Sequence, residues 1–157
     1  LAVKRTLSES SVKLRVNIKE LLDGKNLPDD PDIVEAIAQK AIDIIVERTQ
    51  DGVSLSGRPF KKYSDSYEKS VSFKAFGKSS TPNLTLSGDM LGLLELIDTT
   101  RNTFEIGWTD DLEIKKAYNH NVGDTVPKRE FFGLQKQELD ELREFAESLI
   151  KDEASEE

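Results

Sequence analysis

His120 is the only histidine in a chain of 157 residues that has no cysteine. A catalytic imidazole needs an oriented partner and a nucleophile or a metal. Asp124 lies four residues on, and serines are plentiful, but no Gly-x-Ser-x-Gly elbow surrounds any of them. The more economical reading of His120 is a residue that packs or makes one hydrogen bond. Carboxylates cluster at Asp29-Asp30-Pro31-Asp32 and at Asp110-Asp111, and each cluster directly precedes an apolar periodic run. Helix capping explains both, because a cap needs an oxygen acceptor at that position. No calcium loop, thiolate site or phosphate loop can be written with these residues. The expectation is therefore no catalytic residue, no metal and no cofactor.

The residues that could do something else lie between Gly52 and Thr85. From Arg58 to Lys78 there are six cations (Arg58, Lys61, Lys62, Lys69, Lys74, Lys78) against Asp65 and Glu68, a local +4 in a chain of net -8. Phe60, Tyr63, Tyr67, Phe73 and Phe76 are interleaved with them. Three readings stand side by side. The arm could lie on a nucleic-acid backbone with its rings on the bases. It could be a solvated loop anchored by its own aromatics. It could dock on an acidic neighbour, such as the stretch Glu138–Glu157, where nine carboxylates outnumber Arg143 and Lys151 to leave -7. The third is the expectation taken forward, because a head-to-tail ring uses two different patches whose charges match.

These residues must be positioned by one domain, 1–157, since this length suits a single core. Val12, Leu14, Val16 and Ile18 alternate with polar residues, as a strand with one buried face does. Asp23-Gly24 opens a loop. Asp30 caps a helix from Pro31 to about Gln50, whose stripe (Val34, Ile37, Ala38, Ala41, Ile45, Val46) is widened by Ile33, Ile42 and Ile44. So broad a stripe points to burial on more than one side, by the sheet and by a further surface such as a neighbouring subunit. Residues 52–85 follow as a long basic arm, with a short helix possible at 65–72. A short helix capped by Ser87 is expected from Leu86 to Leu93. A hairpin then turns at Arg101-Asn102, where Asn102 suits positive φ, and returns through Phe104, Ile106 and Trp108. A short helix at Leu112–Asn119 leads to a loop at 120–124. Pro127 breaks regular structure before an edge strand or extended segment at Lys128–Phe132. The last helix runs from Gly133 or Leu134 to about Ile150, with an acidic frayed tail at 151–157. The class is α+β: two main helices packed on a small antiparallel sheet, with a long extended arm.

Three blocks in order carry a family likeness. The first is Arg48-Thr49-Gln50-Asp51-Gly52, then Ser56-Gly57-Arg58-Pro59-Phe60, then Tyr63-Ser64 and Tyr67. The second is Leu84-Thr85-Leu86-Ser87-Gly88-Asp89-Met90-Leu91, with the hairpin ending Ile106-Gly107-Trp108. The third is Ala117-Tyr118-Asn119-His120-Asn121-Val122-Gly123, then Val126-Pro127-Lys128-Arg129-Glu130-Phe131-Phe132-Gly133. This order resembles the virion-morphogenesis proteins of tailed bacteriophages, a group that includes tail-completion and neck proteins. The likeness covers about residues 32 to 150; the N-terminal strand lies outside it and Lys69–Pro82 departs from it.

The resemblance implies no catalysis. It implies a structural subunit of the head–tail neck or tail-completion ring, with a tail terminator of the same virion region as the alternative and a small nucleic-acid-binding protein as the reading from another class. The expected partners are copies of the chain itself (a hexameric ring first, a dodecameric ring second), the neighbouring connector and tail-tube proteins, and DNA passing through the lumen without specific binding. Assembly would take place in the bacterial host cytoplasm and the product would reside in the virion; no membrane is involved. Arg58, Phe60, Lys61, Lys62, Tyr63, Tyr67, Arg129, Phe131 and Phe132 are the candidate docking residues. Gly57, Gly88, Gly107 and Gly123 suit turns or close backbone approach, and Pro127 sets an extended approach to a strand that could pair across subunits.

Overall fold

A computed structural model describes residues 2–24, 27–60 and 89–156. Its centre is a four-stranded antiparallel sheet in the order β1-β2-β4-β3. The strands are β1 (Val3–Ser8), β2 (Ser11–Asn17), β3 (Glu95–Thr99) and β4 (Thr103–Gly107). The alternation in β2 places Val12, Leu14 and Val16 in the core. Leu14 stands opposite Ile106 and Val16 opposite Phe104, so one face of the sheet is continuous and apolar.

Both hairpins turn by the same device. The Ser8 hydroxyl accepts the Ser11 N–H at 3.1 Å, and the Thr100 hydroxyl accepts the Thr103 N–H at 3.0 Å. A side-chain oxygen thus stands in for turn geometry that would otherwise call for positive φ. Asn102 accordingly does not adopt the positive φ expected of it; among described non-glycine residues only Asp23 does, at 53°. Strand β1 was not anticipated. Its inward positions are Val3, Arg5 and Leu7, opposite Val16, Leu14 and Val12, and the arginine interrupts the apolar alternation.

Among the described residues five helices accompany the sheet: α1 (Ile18–Leu21), α2 (Pro31–Gln50), α3 (Asp89–Gly92), α4 (Asp111–Val122) and α5 (Lys136–Glu156). Helix α2 starts as its sequence dictates: the Asp30 carboxylate accepts the Asp32 N–H at 2.9 Å and Pro31 fills the first turn. One flank of α2 lies on β3 and β4, and another packs against α5. The broad stripe is therefore covered from within the chain, with α5 where a neighbouring subunit was expected. Each fully buried branched side chain there, such as Ile37 or Ile45, is worth about 1.5–3 kcal/mol. The α+β class stands, but the second main helix rests on α2 more than on the sheet.

Three boundaries differ from expectation. Helix α4 continues through His120, Asn121 and Val122, which were assigned to a loop, and ends on Gly123 at φ 74°. Helix α5 begins at Lys136, and residues 151–156, expected to fray, are helical. At Lys128–Phe132, where an edge strand or an extended segment is expected, no strand forms. The expected helix at 65–72 and the cap at Ser87 lie outside the described residues. No helix among the described residues is long and apolar enough to cross a membrane.

Candidate interaction site

The irregular stretch from Gly123 to Gln135 cannot hydrogen-bond to itself, so its backbone needs partners from elsewhere. Arg48, in the last turn of α2, supplies several. Its Nη1 and Nη2 donate to the Phe131 carbonyl at 3.1 and 3.0 Å, and Nη2 donates to the Gly133 carbonyl at 2.8 Å. Its Nε donates to Glu138 Oε2 at 3.2 Å. The planar guanidinium fork suits this work, because several donors lie in one plane. Burial pushes the Arg48 pKa down, and the Glu138 carboxylate opposes that shift. Glu138 also accepts the Gln135 N–H at 2.8 Å through its other oxygen, a carboxylate reaching back over the first turn of α5. One carboxylate thus starts a helix and compensates a buried cation.

Asn121 does the complementary job from α4. Its Oδ1 accepts the N–H groups of Phe131 at 3.0 Å and Phe132 at 2.9 Å, while Nδ2 donates to the Ala117 carbonyl at 2.6 Å. Arg5 reaches in from β1: Nη1 donates to the Phe132 carbonyl at 3.0 Å and Nη2 pairs with Glu130 at 3.1 Å. The Arg129 N–H donates to the His120 carbonyl at 2.7 Å, and the Leu55 N–H to the Glu130 carbonyl at 2.8 Å. Gln135 ties the same region to the Leu55 carbonyl at 3.1 Å.

Apolar packing completes the node. Trp108 meets Phe132 edge-on at 4.9 Å and Phe131 at 6.0 Å between ring centroids. Such pairs add about 0.5–1.5 kcal/mol beyond their burial. The indole Nε1 donates to the Met90 carbonyl at 2.6 Å. The described parts of all three sequence blocks therefore meet in one place: Arg48 from the first, Met90 and Trp108 from the second, Asn121, Phe131 and Phe132 from the third.

This placement corrects the docking assignment. Phe131 and Phe132 are fully buried, and Phe60 and Arg129 are 4% and 6% exposed, so none of the four offers surface to a partner in this conformation. In sequence the Phe131–Phe132 pair offers either an apolar anchor for a partner or, for each ring taken singly, the better reading of ordinary core packing; both rings lie in the chain's own core. Much of the Lys128–Phe132 backbone is held within the chain, by His120, Leu55, Asn121, Arg48 and Arg5, which leaves little of it for strand pairing with a neighbouring subunit. Arg58 is exposed on a turn closed by the Gly57 N–H on the Ser54 carbonyl and the Ser54 N–H on the Arg58 carbonyl. Lys61, Lys62, Tyr63, Tyr67 and Gly88 lie outside the described residues.

Of the turn residues, Gly57 has φ 86°, while Gly107 serves close approach: a Cβ there would run into the Val12 carbonyl oxygen. A Cβ on Gly123 would stand 2.7 Å from Lys128 Cβ, at a φ that L side chains avoid. Pro127 precedes a segment without regular secondary structure and does not lead into a strand.

The residues that sequence reasoning missed are Arg5, Asn121 and Glu138, together with the role of Arg48. A signal existed for Arg48, which follows Ala41 and Ile45 along the stripe and yet is only 8% exposed. Asn121 gave none, since asparagine near a glycine reads as loop chemistry. His120 sits in the last turn of α4. Among the described residues, no group of three or more metal-ligating side chains could hold a metal ion.

The other face of the sheet is charged and open. Lys4, Arg15, Glu95 and Asp98 are exposed, and Lys13 and Glu105 partly so. Comparison with protein-family models, curated proteins and solved structures finds no match to this chain.

Proposed function

We propose that this chain is a structural, non-enzymatic subunit of the ring that completes the head–tail neck or the head-proximal end of the tail in a tailed bacteriophage. One observation carries the reading. The blocks on which the family likeness rests, far apart in sequence, converge on the node of Arg48, Asn121, Trp108, Phe131 and Phe132. Residues used for packing and backbone support, rather than for chemistry, are what an assembly subunit requires. Phe60, near the start of the basic segment expected to dock on an acidic neighbour, and Met90, beyond its end, are both buried in the core.

The chain is net -8, so the lumen of such a ring would hold DNA weakly and let it slide. Assembly would occur in the host cytoplasm, with connector and tail-tube proteins as neighbours. The tail terminator remains the alternative within the same region. Negative-stain images of the purified protein test the reading: closed rings with an open centre are expected, and particles without a lumen contradict it. Mixed with linear duplex DNA at physiological salt, the rings should leave it unshifted. Retention that disappears when Lys61 and Lys62 are neutralised would instead favour nucleic-acid binding.

A further inference from the structure

The open face of the sheet carries a charge order that its own copy matches. The register places Lys4 opposite Arg15, Arg15 opposite Glu105, and Glu105 opposite Asp98. Across the strand order β1-β2-β4-β3 this rung reads plus, plus, minus, minus. The next outward rung runs Thr6, Lys13, Gly107, Glu95, with its cation and carboxylate on the same two sides. The β-bulge between Leu96 and Asp98 keeps Asp98 in line with Glu105. None of these six charged residues makes an ion pair within the described residues, although Glu95 accepts a hydrogen bond from Thr109. Like charges directly opposite, as at Lys4 and Arg15, are unfavourable within a sheet. Arg15 and Glu105, directly opposite each other, attract, whereas the Lys4–Arg15 and Glu105–Asp98 pairs on either side repel, so two of the three lateral neighbours in this rung are unfavourable in the isolated chain.

We infer that this face pairs with the same face of a second copy of the chain, about a two-fold axis running along the strands. Such a rotation lays β1 over the partner's β3 and β2 over its β4. In the Lys4–Asp98 rung plus-plus-minus-minus then meets minus-minus-plus-plus, each pairing occurring twice as an isologous contact demands, while in the next rung Lys13 lies over Gly107 and Glu95 over Thr6. Sheets stacked face to face lie about 10 Å apart, a gap that a lysine or arginine and an opposing carboxylate can span between them. The four strands present only about 400 Å² of flat area at ordinary strand spacing, against about 800 Å² per partner in a stable interface. The contact is therefore weak, reversible and electrostatic. It doubles whatever the chain's other surfaces build: a monomer becomes a dimer, and a ring becomes a pair of rings. It does not depend on the ring reading, because the charge order belongs to one sheet.

The test is sedimentation equilibrium of the full chain with charge-reversed variants. Wild type should double its mass between about 500 mM and about 50 mM salt, as the screening length grows from about 4 to about 14 Å. Lys4→Glu with Arg15→Glu should weaken the doubling about a hundredfold, and so should Asp98→Lys with Glu105→Lys, because each sets like charges face to face. Mixed one to one, the two variants should double together, since each then matches the other. Matching melting curves with wild type establish that both are folded. No doubling in the mixture overturns the inference. So does a wild-type doubling that survives reversal of the acidic half, which would assign the basic half to a different partner. Loss of rings with the doubling retained would remove the ring reading and leave this one.

Discussion

Among the described residues, two clusters of charge are built on opposite logic. In the node, Arg48 and Glu138 are almost fully buried and every contact is made inside the chain. On the open sheet face, six charges stand in register with no ion pair among them. A buried charge must be compensated where it lies, because desolvation penalises it heavily. An exposed one is stabilised by water and remains available. The comparison separates what holds the fold from what faces outward, and it moves the Phe pair and Arg129 from the second group to the first.

Breaking the node should cost most. Arg48→Ala leaves Glu138 buried without its cation and two carbonyls without donors, a loss of about 3–5 kcal/mol by urea unfolding. Arg48→Lys should recover little, because one ammonium cannot serve Glu138, Phe131 and Gly133 together. Recovery to near wild type would show that charge rather than the guanidinium fork holds the segment. Trp108→Ala should fall in the same range, about 3–5 kcal/mol, through the cavity it opens. Trp108→Phe should cost less, with the Met90 carbonyl left unpaired at about 1–3 kcal/mol. Next comes Asn121→Ala, which strands two buried N–H groups. A loss of about 2–3 kcal/mol is expected, together with faster amide exchange at Phe131 and Phe132. Unchanged exchange at those two amides would mean that other acceptors take over.

At the small end, Lys13→Ala and Arg15→Ala should shift unfolding by no more than about 0.5 kcal/mol, as exposed substitutions do. A large loss from either would show that the open face contributes to the fold and would erase the contrast.

Much of the fold was legible where local pattern and tertiary role agree. The period-two run is buried as a strand face from Val12 to Val16, with Ile18 buried at the start of α1, and Asp30-Pro31 starts α2 as capping chemistry requires. The hairpin around Arg101-Asn102 is present, although Thr100 closes it where Asn102 was expected to. Legibility failed where a polar side chain works at long range. Arg5 disguises β1, because an inward arginine breaks the apolar alternation; its partners are Glu130 and the Phe132 carbonyl, far away in sequence. Asn121 reads as a loop former, yet it sits in a helix and holds the backbone of Phe131 and Phe132. Glu138 starts α5 through a carboxylate shared with Arg48, so the helix begins after Gln135 and not at Gly133. No local window contains both ends of such contacts. The candidate site was legible in part: the blocks that mattered were found, and their residues proved to hold the core.

The central claim, a ring-forming assembly subunit, is tested most directly by the solution mass of the purified chain from light scattering behind size-exclusion chromatography. The account predicts a mass of six copies, or of twelve where six-membered rings pair through their open sheet faces at low salt. A mass of one copy at all concentrations, or of two at low salt and one at high salt, would contradict the ring.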